Sequence, residues 1–127
     1  MRTVGNSNFA DFDQHLRSKL TNYVPEVGSA TPWGYAESVD PIIPEKLVFV
    51  STPSHGGAWV CPELFMAMPE RLRDIGAYSR YHAGWVNWFE EDVEISAVIM
   101  AYPDAFSPQA VAFAEASIDH AYIVADR

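Results

Sequence analysis

The sequence predicts an α+β fold, with a small antiparallel sheet of about three strands packed against helices and a further helix at the N-terminus. Three features predict it. Residues 35–61 hold strand-like segments in succession, joined by short turn-forming links, which is the pattern of a meander. Helical periodicity is confined to the flanks, at residues 7–24 and beyond 62. Strand and helix do not alternate early in the chain, which argues against a doubly wound parallel sheet.

Taken in order, Phe9, Phe12, Leu16, Leu20 and Tyr23 or Val24 recur at helical spacing over residues 7–24. Ser7 or Asn8 supplies the cap and Pro25 the stop. This helix either packs on the body or stands apart as an arm. Glu26 to Ala30 is a linker containing Gly28 and Ser29. The body opens at Thr31-Pro32-Trp33-Gly34, and residues 35–40 alternate like a short strand. Pro41 and Pro44 bracket a turn, with Ile42 and Ile43 available for a bent extended piece. Residues 46–52 are rich in β-branched and aromatic side chains and form the clearest strand. Residues 53–57 are a loop, and 58–61 return as a strand.

Pro62 and Glu63 suit the first turn of a helix with Leu64, Phe65, Met68, Leu72 and Ile75 inward. Pro69 divides it, and Gly76 ends it. Residues 77–84 read as a loop. In Trp85 to Glu94 an aromatic run meets four acids, which places the start of a helix at the edge of a core. That helix carries Ile95, Val98, Ile99 and Tyr102 and stops at Pro103. Ser107-Pro108 opens a last helix with Val111, Ala114, Ile118 and Tyr122 facing in. Trp33, Val48, Val50, Trp59, Phe65, Trp85 or Trp88, and Ile95 are expected to be buried together.

A length of 127 residues fits a single domain, with residues 1–27 as helix and linker and 31–127 as the body. The apolar fraction of 49% supports a core. The chain has no apolar run long enough for a membrane span and no apolar leader at its N-terminus, so a soluble cytoplasmic protein is expected. Cys61, the only cysteine, excludes an internal disulfide and a multi-cysteine zinc site, and its apolar neighbours favour a buried thiol.

The net charge is −9, and its distribution is uneven. From Tyr81 to Asp126 there is no Lys or Arg, while Glu90, Glu91, Asp92, Glu94, Asp104, Glu115, Asp119 and Asp126 fall there. Direct binding to a phosphate backbone needs clustered cations, so it is not expected. A partner with a basic surface fits, as does a face that is merely solvated.

Ser51-Thr52-Pro53-Ser54-His55-Gly56-Gly57 combines hydroxyls, a histidine and two glycines between strands. His55 serves either as a general base or as a turn residue. The Gly-x-Ser-x-Gly elbow and the Gly-Lys-Ser/Thr phosphate loop are both missing. Glu90, Glu91, Asp92 and Glu94 are oxygen donors without the spacing of a calcium loop. Neither a metal nor a cofactor is expected. A contact between His55 and Glu91 would make an acid–base pair, but spacing alone does not bring them together. His15, His82 and His120 are not candidate ligands.

Thr31-Pro32-Trp33-Gly34, Ser51-Thr52 with Ser54-His55-Gly56-Gly57, Pro62-Glu63, Met68-Pro69 and Trp88-Phe89-Glu90-Glu91-Asp92 together resemble the signature of a bacterial domain of unknown function. That family is carried by plasmids, integrated elements and phages. The resemblance runs from about Thr31 to Pro103 and leaves the first and last helices outside. It implies a setting and no activity. Small acidic proteins of mobile elements resemble the anti-defence proteins that place carboxylates where nucleic acid has phosphates. The first expectation is therefore an anti-CRISPR-like inhibitor that binds a basic host complex through Glu90, Glu94, Asp104, Glu115 and Asp119. The second is a small enzyme or ligand-binding domain built on Ser54, His55, Glu91 and Asp92.

Overall fold

A computed structural model describes the backbone of residues 14–125. The expected caps Ser7 and Asn8, the apolar Phe9 and Phe12, and the side chain of Tyr122 lie outside the described residues.

The first helix, α1, covers residues 14–18 of the described chain and ends well before Pro25. Its last turn tightens, with the Lys19 and Leu20 amides bonded to the carbonyls three residues back. The Ser18 hydroxyl also donates to the His15 carbonyl at 2.6 Å, competing with the helical ladder. Leu16 is buried in the core, so this segment packs on the body.

A two-stranded hairpin follows, β1 (Ala30–Thr31) with β2 (Gly34–Tyr35), turning at Pro32 and Trp33. Gly34 has a φ of 123°, which a residue with a Cβ rarely adopts. The strand expected over 35–40 is thus split, with its first residue in β2 and the rest starting at Ser38.

The main sheet is an antiparallel meander in the order β3 (Ser38–Ile43), β4 (Leu47–Ser51), β5 (Gly56–Val60), β6 (Trp88–Glu90). Pro41 lies inside edge strand β3, next to a register shift between Pro41 and Ile43. An edge position and a bulge are where a strand tolerates a missing amide. The turn falls at residues 44–46 instead, and Glu45 adopts a φ of 66° there.

The fourth strand corrects the reading of residues 85–94 as a helix start. Trp88, Phe89 and Glu90 pair with Trp59, Ala58 and Gly57. Trp88 faces one side of the sheet and Phe89 the other, and both are buried. A strand covered on both faces shows no apolar–polar alternation, so its period is invisible in the sequence. Residues 91–93 form a turn, and the helix begins only at Glu94.

The helices gather on one face. They are α2 (Pro62–Ala67), α3 (Glu70–Arg73), α4 (Ala77–Ala83), α5 (Glu94–Ala101) and α6 (Pro108–Ala125). Pro69 separates α2 from α3, as expected. Helix α4 replaces the loop expected at 77–84. Its inward residue is Arg80, a charged side chain that an apolar stripe search overlooks. Helix α6 opens as expected, with the Ala110 amide donating to the Ser107 hydroxyl at 3.1 Å.

The expected single core divides in two. Leu47, Ala58, Val60 and Phe89 meet Phe65, Val98, Ile118 and the partly buried Ile95 on the helical side. Val48, Val50, Trp59, Trp88 and the Cys61 thiol lie on the other face, under the hairpin residue Trp33 and Trp85. Trp33, Val39, Trp85 and the α2 residue Leu64 pack against this second cluster. Among the described residues no helix is long and apolar enough to cross a membrane.

Candidate functional site

At the free edge of β6 a cleft of about 400 Å³ opens between the hairpin and α4. Trp33, Trp85 and Trp88 line it, with Arg80, Glu90 and Glu94. Trp88 is buried and takes the other two rings at nearly right angles. Trp33 stands 6.0 Å away at 80°, and Trp85 stands 5.8 Å away at 87°. Edge-to-face contacts suit the ring quadrupoles and fix all three orientations.

Each ring has its own support. Trp33 lies against Gly57, where a Cβ would come within 2.4 Å of the indole, so only glycine seats it. The Trp33 carbonyl accepts from the hydroxyls of Thr52 at 3.1 Å and Ser54 at 3.2 Å. The Trp88 indole N–H donates to the Thr21 hydroxyl at 2.9 Å, and that of Trp59 to the Thr21 carbonyl at 3.0 Å. Thr21 is in turn paired with Asn87 just ahead of β6.

Arg80 is 6% exposed and closes one end of the cleft. Its guanidinium donates to the carbonyls of Val86, Arg73 and Ile75 and stacks 4.1 Å from the Phe89 ring centroid. Its Nε lies 3.7 Å from Glu94 Oε1 without a hydrogen bond. Burial lowers the Arg80 pKa from its ordinary value, opposed by the Glu94 charge. Burial likewise raises the Glu94 carboxyl, opposed by the Glu90 amide and by Arg80. Glu94 Oε1 accepts from that amide at 3.1 Å, which ties the start of α5 to the end of β6.

The acids expected to meet a partner therefore divide. Asp104, Glu115 and Asp119 are exposed, with Asp104 on the 3₁₀ turn Pro103–Ala105 and the other two one turn apart on α6. Glu90 and Glu94 are only partly exposed and belong to the cleft. Glu91 and Asp92 are exposed in the turn between β6 and α5.

The histidine loop has a structural order of its own. Thr52 Oγ1 accepts from the Ser54 and His55 amides at 3.3 and 3.1 Å and lies 2.7 Å from the His55 carbonyl. Glu91 Oε2 accepts from the Gly56 amide at 2.8 Å, and the Glu91 amide donates to the Gly56 carbonyl at 3.0 Å. Glu91 is thus brought within one residue of His55, yet it bonds the backbone. The His55 ring is exposed and lies outside the tryptophan cleft, and the Ser54 hydroxyl is directed to Trp33. Among the described residues no group of three or more His, Cys, Asp or Glu side chains is arranged to hold a metal.

The family model for a domain of unknown function, DUF7007, matches residues 26–123. The chain belongs to the DUF7007 family. The DUF7007 match is longer than the resemblance drawn from motifs, which ended near Pro103, and it takes in most of α6. It includes all three tryptophans of the cleft and every exposed acid named above, and it begins after Thr21. No curated protein and no solved structure matches the chain.

Arg80, Asn87 and Thr21 were missed by sequence reasoning. The one sequence signal was the position of Arg80 as the last cation before the stretch from Tyr81 that contains acids only. The cleft itself joins residues from 33 to 94, a juxtaposition that no local pattern carries.

Proposed function

We propose that this DUF7007 protein is an interaction module of a phage or other mobile element. It inhibits a host defence complex of the CRISPR kind, in the bacterial cytoplasm, by occupying a basic nucleic-acid-binding surface. The observation that carries this reading is the one-sided charge of the chain from β6 onward. Asp92, Asp104, Glu115 and Asp119 are exposed there, in a stretch without Lys or Arg. The cation just before it, Arg80, is buried on backbone carbonyls and offers no charge to the surface. A surface of that sign repels nucleic acid and is drawn to the groove that nucleic acid occupies. Within this proposal the contact set is Asp92, Asp104, Glu115 and Asp119, because Glu90 and Glu94 are only partly exposed and line the cleft.

The test is competition. The purified protein, added to a guide-loaded host effector, should prevent target DNA from binding, and more DNA should restore it. Unchanged DNA binding at saturating protein would remove the proposal.

A further inference from the structure

We propose that the tryptophan cleft binds the alkylated ammonium group of a small organic cation, of the choline type. Trp33 and Trp85 pack at 80° and 87° on the buried Trp88 and line the cleft with it, and indole is the strongest of the aromatic rings toward cations. Glu90 adds the charge. Its backbone amide is bonded to Glu94, while its carboxylate has no hydrogen-bond or ion-pair partner among the described residues. The second carboxylate, Glu94, is balanced by Arg80, whose guanidinium is spent on three carbonyls and on the Phe89 ring. The lining thus offers one unpaired negative charge beside aromatic walls.

The donor and acceptor balance selects the alkylated form. A primary ammonium needs three acceptors; the indole rings supply none, and the side-chain oxygen acceptors of the lining are confined to Ser79, Glu90 and Glu94. The Trp88 N–H is already bonded to Thr21. A methylated head presents only weakly polar C–H surface and diffuse charge, which rings and one carboxylate satisfy. A volume of about 400 Å³ is that of a small-molecule site, larger than a lone ion requires. This site does not depend on the basic partner proposed above, because the acids assigned to that partner lie outside the cleft.

The experiment titrates the full chain with choline and with its neutral isostere 3,3-dimethylbutan-1-ol, at constant ionic strength. Tryptophan fluorescence and the indole N–H resonances report binding. Choline should saturate and bind about tenfold or more tighter than the isostere, since only the cation gains from the rings and Glu90. Trp85→Leu and Glu90→Gln should each weaken choline by about threefold to thirtyfold. Glu90→Gln keeps the side-chain shape, so it decides the matter where Trp85→Leu disturbs packing. Equal binding of choline and isostere, no saturable binding, or binding indifferent to Glu90→Gln would each overturn the site. A trimethyllysine peptide that binds about tenfold tighter than choline would overturn the small-molecule assignment.

Discussion

Thr21 and Asn87 are paired as two strand residues would be. The Thr21 amide donates to Asn87 Oδ1 at 2.9 Å, and Asn87 Nδ2 donates to the Thr21 carbonyl at 2.9 Å. Asn87 also donates to the Val60 carbonyl at 2.8 Å and is wholly buried. This one side chain therefore fastens the N-terminal arm to β5. Asn87→Ala removes the partner of the part-buried Thr21 amide and of the buried Val60 carbonyl at once. It should cost about 3 kcal/mol in urea unfolding. A loss below about 1 kcal/mol would mean that the arm is held elsewhere.

Gly57→Ala tests how Trp33 is seated. The new Cβ would lie 2.3 Å from the Phe89 carbonyl and 2.4 Å from the indole. Backbone on one side and a ring held by Trp88 on the other leave little room to yield. We expect a destabilisation of about 2–3 kcal/mol and altered tryptophan emission. An unchanged spectrum and melt would contradict the packing of Trp33 on β5.

Much of this architecture was readable in advance, for identifiable reasons. Strand β4 announced itself through Leu47, Val48, Phe49 and Val50, and the break at Pro69 through its missing amide. Strand β6 was not readable, because Trp88 and Phe89 are buried on opposite faces and show no alternation. Helix α4 was hidden because its buried position is Arg80, whose burial depends on carbonyls supplied from outside α4, at Arg73, Ile75 and Val86. The exposed acids of α6 were legible as acids. That Glu90 and Glu94 turn into a cleft was not, since it depends on Trp33 from a distant hairpin.

The burial of Glu94 predicts a pH signature. The Glu94 carboxyl is raised above its ordinary 4.5, mainly by burial. The folded protein therefore holds that proton more tightly than the unfolded chain. Its contribution to stability is greatest below the ordinary glutamate range and is lost as pH rises through that range to the raised value. Glu94→Gln removes this titration. The stability of the wild type relative to Glu94→Gln should fall across that window. A difference that is flat or that rises there would contradict a desolvated Glu94.

His55 offers a simpler expectation. Its backbone is bonded to Thr52, and its ring is exposed. His55→Asn should shift stability by about 0.5 kcal/mol or less and leave the proposed inhibition of a host complex intact. Loss of inhibition with an unchanged melt would return the histidine loop to the functional site.

The most direct measurement is the affinity for the guide-loaded effector of wild type and of a variant with Asp92, Asp104, Glu115 and Asp119 all changed to Lys. Both are measured at about 50 mM and about 300 mM salt, which changes the screening length more than twofold. Exposed charges contribute about 0–1 kcal/mol each to stability, so the variant should fold. Electrostatic recognition predicts that wild-type affinity falls as salt rises, mainly through slower association, and that the reversal weakens binding by about tenfold or more at low salt. Affinity that is indifferent to salt and unchanged by the reversal would contradict an acidic face that takes the place of nucleic acid.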